Sequence, residues 1–153
     1  MRRLADALAL LGITAWAGSL WTIGFLVAPT LFSTLGDRVL AGALAGRMFQ
    51  LGGWVGLACG SYLLVYLGFR EGWRVWRNKM FWLVAVLLLC GAASQFGIQP
   101  LMAQLKAEAL PREVMQSVLR DRFATWHGVS SGLYVVQSLL AVALVFLGQR
   151  RSG

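Results

Sequence analysis

The chain has 153 residues, of which 58% are hydrophobic and 13% charged, and its mean hydropathy is +0.67. Soluble domains carry roughly 25% charged residues, so this composition excludes an ordinary soluble domain and a disordered chain. The formal net charge is +8, an excess typical of proteins that bind nucleic acid or an anionic membrane. Because no long polar segment remains to form a nucleic-acid surface, we predict contact with the lipid bilayer and its anionic head groups, and no nucleic-acid partner.

Four long stretches carry no Asp, Glu, Lys or Arg. They cover residues 7–36, 48–69, 80–105 and 123–149. A bilayer core about 30 Å thick needs about 20 apolar residues in a helix. Backbone polar groups must be satisfied inside lipid, and these runs do not alternate as barrel strands do. We therefore predict an all-α, four-helix transmembrane bundle that forms a single domain over residues 1–153. The spans are expected at about 7–32, 42–69, 80–105 and 123–148.

The first stretch also has features of a secretory signal, because Arg2 and Arg3 precede an apolar run with a small-residue site at residues 15–17. The apolar core of such a signal is about 7–15 residues long. Here the run continues to Phe32. We therefore predict a retained first helix.

Cations are unevenly distributed between the two sides of these spans. The N-terminus, the loop at residues 70–79 and the C-terminus together carry eight cations and two acids, whereas the other side carries six cations and four acids. Loops rich in Lys and Arg stay in the cytoplasm. We therefore predict that both termini are cytoplasmic, in a bacterial inner membrane.

The longest connection, residues 106–122, has the pattern of an amphipathic helix. Pro111 suits a first helical position, and Val114, Met115, Val118 and Leu119 form one apolar stripe. We predict an amphipathic helix between the third and fourth spans, on the non-cytoplasmic surface. It would run into the fourth span and either cap the bundle or dock a partner.

Small residues recur at helical spacing, which allows close backbone contact between helices in lipid. The predicted packing glycines are Gly52, Gly56 and Gly60 in the second span and Gly128 and Gly132 in the fourth. They favour packing within one bundle, and the alternative is the face of a homo-oligomer or of a membrane-protein partner.

Pro29 lies deep in the first span. It has no N–H to donate to the carbonyl oxygen of Phe25, and its ring crowds that turn. We predict a helix kink there, with a Ser, Thr or Gln side chain meeting the released carbonyl. The alternative is a small polar cavity of the kind that broken helices line in transporters.

Two apolar signatures carry a resemblance to a known family. They are Trp16-Ala17-Gly18-Ser19-Leu20-Trp21 with Ala28-Pro29-Thr30-Leu31-Phe32, and Phe123-Ala124-Thr125-Trp126-His127-Gly128-Val129-Ser130-Ser131. The chain resembles the transmembrane protein 205-like family of small four-helix membrane proteins. The resemblance implies the same four-helix fold and, from a eukaryotic relative associated with resistance to a platinum drug, a link to soft-metal or drug handling.

One set of polar residues is expected near the outer ends of the spans. His127 is the single histidine, Gln95 and Gln99 are four residues apart and so share a helix face, and Arg47 opens the second span. Polar side chains in membranes mark functional sites or join helices. We predict that these four residues form one polar cluster, which serves either to hold the helices together or as a substrate site.

Metal and cofactor chemistry has few candidates. Cys59 and Cys90 should lie at similar depth, either as small buried apolar groups or, with Met48 and Met102, as soft ligands for a metal such as Cu(I). Haem held by two histidines would need a second His, and the sequence has one. We predict no bound cofactor, with haem or a soft metal as the alternative.

The sequence has no catalytic constellation: paired intramembrane carboxylates, a Ser-His-Asp arrangement and a phosphate-binding loop are all missing. We therefore predict a protein that is not an enzyme. Two functions remain open. One is a small transporter or channel-like protein for a metal ion or small solute, with the polar cluster as its mouth. The other is a non-catalytic interaction or assembly subunit of a membrane complex.

Overall fold

The computed structural model of the protein describes residues 2–109 and 116–152. Over these residues the chain is helical apart from short connections, and four helices are long and apolar enough to cross a membrane. These are Arg3–Thr34, Arg38–Arg77, Lys79–Leu105 and Asp121–Arg150. The predicted all-α, four-span architecture is confirmed, and the chain is a multi-pass membrane protein.

The first and third spans are interrupted, whereas the second and fourth are continuous. The first consists of α1 (Arg2–Trp21), a π-helical turn (Thr22–Val27) and α2 (Ala28–Thr34). The third consists of α4 (Lys79–Ala92), a second π-helical turn (Ala93–Ile98) and α5 (Gln99–Ala109). The second is α3 (Arg38–Glu71), and the fourth is α6 (Gln116–Ser152).

Each π turn is followed by a proline at the second position of the next helix, Pro29 in α2 and Pro100 in α5. A proline breaks the regular backbone ladder because it has no N–H, and the wider π turn takes up that break. The Thr30 hydroxyl donates to the Leu26 carbonyl oxygen at 2.7 Å beside the first break. The first span is thus interrupted at the site where Pro29 predicts a kink.

Short capped connections join the spans. Asp37 begins α3 by accepting hydrogen bonds from the Val39 and Leu40 N–H groups at 2.8 and 3.2 Å. At the opposite end, α3 stops at Gly72, whose φ of 55° is a backbone conformation that favours glycine. A 3-10 helix (Gly72–Arg77) then leads to Asn78, which caps α4 by accepting from the Met80 N–H at 2.9 Å.

The part of the predicted amphipathic helix at residues 110–115 lies outside the described residues. Residues 116–122 belong to α6, so this segment is continuous with the fourth span. We call the bundle end that holds Arg3 and Gly72 the inner end, and the end that holds Gly36 the outer end.

The helices form a square in which α1 and α4 each pack against both α3 and α6. The best-packed part of this bundle is its inner half, where a set of aliphatic side chains has no exposed surface. We call this set the apolar plug, and it consists of Leu63, Leu67, Val84, Leu87 and Leu144.

Glycines of α3 bring the backbones of the first two spans together. A Cβ at Gly56 would lie 2.5 Å from Trp16 Nε1, and one at Gly60 would lie 2.8 Å from the ring of the same tryptophan. A Cβ at Gly52 would meet Ile23 at 2.6 Å. These three glycines therefore leave the space that bulky side chains of the first span fill.

Candidate functional site

A belt of polar side chains crosses the middle of the bundle beside the two π turns. Three of its members are buried: Gln95 is 8% exposed, and Gln137 and Ser138 are each 4% exposed. Together with Ser94 and Tyr134 we call these residues the polar belt. Buried polar groups in a membrane are costly unless they are satisfied, so their position suggests a function or a structural role as hydrogen-bonding partners.

The two glutamines of the belt are held by long hydrogen bonds. Gln95 Nε2 donates to the Gln50 carbonyl oxygen at 3.3 Å, and Gln137 Nε2 donates to Ser94 Oγ at 3.4 Å. Ordinary N–H···O bonds are closer to 2.9 Å, so these two bonds are longer and weaker than ordinary ones. The Gln95 carboxamide lies directly over Gly53, where any Cβ would overlap its Oε1 atom.

Tyr134 and Ser138 tie the end of α1, just before the first π turn, to α6. The Tyr134 hydroxyl donates to the Leu20 carbonyl oxygen at 2.5 Å, and Trp21 Nε1 donates to the Ser138 carbonyl oxygen at 3.2 Å. The Tyr134 ring lies over Gly24, where a Cβ would overlap it, and it meets the Phe49 ring edge-on at 5.0 Å. This side of the belt is filled by an aromatic ring, whereas the other side holds the Gln95 amide.

The chemistry of the belt is that of uncharged hydrogen bonding. Amides and hydroxyls supply donors and acceptors, and none of the belt residues carries a charge. Within the described part of the chain, no group of three or more His, Cys, Asp or Glu side chains is placed to hold a metal ion. Cys59 and Cys90 are free thiols.

A second polar site lies at the inner end, where a cavity of about 480 Å³ opens between the helices. Its rim includes Asp6, which forms an ion pair with Arg70 and accepts a hydrogen bond from the Tyr66 hydroxyl at 2.5 Å. Arg70 Nη1 also donates to the Tyr66 hydroxyl oxygen at 2.8 Å. Ala9, Ile13 and Met80 line the cavity below the rim. We call this cavity the inner vestibule.

The four residues of the predicted outer cluster lie in different environments. Gln95 is buried in the belt and Gln99 is half-buried, whereas Arg47 and His127 are exposed. The His127 ring stacks on Phe123 with ring centroids 5.9 Å apart. No hydrogen bond joins any two of these four among the residues that the structure describes. Gln95 instead follows Ser94 in the second π turn, and Ser94 accepts a hydrogen bond from Gln137.

The other predicted positions also lie in different environments. A Cβ at Gly128 or Gly132 would meet no heavy atom within 4 Å in the described structure, in contrast to the α3 glycines. Met48 is exposed and Met102 is half-buried. The prediction of the outer cluster missed Ser94 and Gln137, which are joined by a hydrogen bond, and Tyr134, which lies over Gly24. The available signal was their depth, since Ser94 and Gln137 are near the middle of two neighbouring spans.

The comparisons with known proteins give a family and no function. A family model described as a domain of unknown function, DUF4149, matches residues 11–109, which include both π turns and Gln95. No curated protein and no solved structure matches the chain. The similarity to the transmembrane protein 205-like family stays a prediction.

Proposed function

We propose that this chain, which belongs to the DUF4149 family, is a membrane transporter for a small, uncharged polar solute that binds at the polar belt. The observation that carries the proposal is the pair of interrupted helices. The first and third spans are each broken by a π turn followed by a proline, and the belt lies beside these turns. Matched breaks in hydrophobic segments are the features that place substrate sites in many transporters.

The composition of the belt supports an uncharged solute. A charged solute would leave water for a site whose own groups are neutral, and burying an unpaired charge costs far more than burying a hydrogen-bonded dipole. Gln95 and Gln137 each offer two N–H donors and one carbonyl acceptor. Amides and small alcohols match this set, whereas a soft metal ion prefers thiolate and thioether ligands.

The apolar plug supports a conformation that is closed towards the inner end. It separates the belt from the inner vestibule, and its five side chains have less than 2% exposure. A transport cycle would therefore need the inner ends of the helices to part. The Asp6–Arg70 ion pair joins α1 to α3 at that end and would hold the closed arrangement.

The proposed orientation places both termini in the cytoplasm of a bacterium, with the inner vestibule on that side. The excess of cations at the inner end supports it. Reporter fusions test it: the fusion after Arg74 should report the cytoplasm, and the fusion after Asp37 should report the opposite side of the membrane. The reverse result, or one shared compartment, would overturn the orientation.

Solute flux into proteoliposomes tests the proposed activity. Urea, acetamide and glycerol are suitable probes, and light scattering follows the vesicle volume as each solute enters. We expect entry of at least one probe above that of empty vesicles, and we expect Gln95→Leu and Gln137→Leu to reduce it about tenfold, as for the loss of ~1.4 kcal/mol of binding. Gln104→Leu is the matched control, since Gln104 is exposed. Equal flux in all three variants would show that Gln95 and Gln137 take no part in transport.

The second candidate, an assembly subunit, is favoured by the outer part of α6. Residues 124–129 are all exposed, so more than a full helical turn lacks a packed face. A helix of a partner membrane protein would cover this surface, including His127. A photo-crosslinker at Val129 should then capture that partner, whereas one at Phe146, which is more exposed, should not. Capture at neither position or at both would argue against a specific docking surface.

A further inference from the structure

We infer that the chain is an internal duplication of one helical hairpin and that its polar belt contains two equivalent half-sites. Tyr134 over Gly24 closes one half-site, and Gln95 over Gly53 forms the other, which selects the solute. The duplication rests on the geometry alone. The selecting role rests also on the proposed function.

The interrupted spans repeat at a fixed interval. The first π turn, Thr22–Val27, recurs as Ala93–Ile98, 71 positions later. The same interval separates Pro29 from Pro100 and Phe25 from Phe96. A coincidence of turn length, proline position and register in two helices is not expected from two unrelated spans.

The buried faces of these spans repeat at the same interval. All three buried residues of α4 lie 71 positions after a buried residue of α1. The pairs are Ala9 with Met80, Ile13 with Val84, and Trp16 with Leu87. Beyond them, Gly24 corresponds to the buried Gln95.

The continuous spans repeat as well, at an interval of 81 positions. The four buried positions in the inner half of α3 each correspond to a buried position of α6. The pairs are Gly56 with Gln137, Gly60 with Ala141, Leu63 with Leu144, and Leu67 with Gly148. With α1 and α4 each packed against both α3 and α6, these registers relate the first and second spans to the third and fourth by an approximate twofold axis along the bundle.

The axis equates two contacts in the belt that look unrelated in sequence. It maps Gln95 onto Gly24 and Gly53 onto Tyr134. In one contact the large side chain, Gln95, comes from the interrupted span and fills the space over Gly53. In the other, the large side chain, Tyr134, comes from the continuous span and fills the space over Gly24. Each half-site therefore has one glycine and one large residue, with the roles exchanged.

The exchange makes the two half-sites different in chemistry. The Tyr134 hydroxyl already donates to the Leu20 carbonyl oxygen at 2.5 Å, so its single O–H is committed to the protein. The Gln95 amide makes a 3.3 Å bond and has further donor and acceptor capacity. The solute is therefore selected on the Gln95 side.

A double-mutant cycle tests the equivalence. Gly24→Gln should clash with the tyrosine ring, and Tyr134→Gly should leave a cavity, so each alone lowers the melting temperature. The pair together copies the Gln95–Gly53 contact onto the other half, and we expect it to recover at least half of the two losses combined. The control cycle combines Gly24→Leu with Tyr134→Gly: leucine fills the same space but has no amide to copy the hydrogen bond of Gln95, so it should recover less than glutamine. Additive losses in the test cycle, or equal recovery by leucine, would overturn the duplication.

The reciprocal pair, Gln95→Gly with Gly53→Tyr, copies the closed half-site and keeps the test decisive if the first pair does not fold. It should show the same non-additivity and should lose entry of urea, acetamide and glycerol into proteoliposomes. Recovered stability with unchanged entry would overturn the selecting role of Gln95. A wild-type protein that passes none of the three probes would overturn the proposed function and this selecting role, whereas the stability cycles still decide the duplication.

Discussion

The inner half of α3 and the outer half of α6 carry glycines of the same spacing with opposite results. In the inner half, Gly56 and Gly60 are covered by Trp16, and the apolar plug fills the space between the helices. In the outer half, Gly128 and Gly132 have the same spacing, and a Cβ at either would find open space in the described structure. Glycine spacing thus permits close contact between helices, but a bulky partner side chain is needed to complete it.

The largest expected effect concerns the apolar plug. Leu87→Ala should lower the free energy of unfolding by about 2–5 kcal/mol, because it leaves a cavity among fully buried side chains. Leu89→Ala is the matched control on the same helix, since Leu89 is 70% exposed. Thermal unfolding in detergent measures both. Equal losses would show that the apolar plug does not stabilise the bundle.

Glycine replacement tests the comparison directly. Gly56→Leu should cost about 1–3 kcal/mol, because the new side chain overlaps Trp16. Gly128→Leu should leave stability nearly unchanged, since the surrounding space is open. The comparison fails if Gly128→Leu is the more damaging of the two, as measured by the midpoint of unfolding.

The boundary between the halves can be probed through one hydroxyl. Tyr134→Phe keeps the ring over Gly24 and removes the hydrogen bond to the Leu20 carbonyl oxygen, which should cost about 0.5–1.5 kcal/mol. Amide hydrogen exchange should rise around the first π turn and stay unchanged in the inner part of α1. A rise spread along the whole of α1 would contradict a local role for this bond.

The smallest expected effect lies at the rim of the inner vestibule. The Asp6–Arg70 pair has side chains that are 43% and 50% exposed, and exposed pairs contribute about 0.2–1 kcal/mol. Asp6→Asn should therefore lower stability slightly, and the difference from wild type should shrink in concentrated salt. A salt-independent loss would indicate that Asp6 acts through packing or hydrogen bonding instead.

The sequence is enough to predict the four helices, because long uncharged stretches leave no other structure possible in lipid. It also indicates the contacts of Gly56, since a stripe of glycines marks a helix face. It does not predict the π turns, because hydropathy does not distinguish a π turn from an α-helical turn. The prediction for His127 relied on its residue type, and the side chain is exposed. Whether two polar residues meet depends on how each helix is rotated about its own axis, and a single sequence says little about that rotation.

The turn after α3 has a consequence for how the protein sits in its bilayer. Trp73 and Trp76 project from it, 90% and 54% exposed, beside Arg74 and Arg77, while Val75 is buried and fixes the turn to the bundle. Aromatic and basic side chains of this kind rest at the head-group level. This anchor sets the depth of one end, so a thinner or thicker membrane must be accommodated at the opposite end, where the packing is loosest.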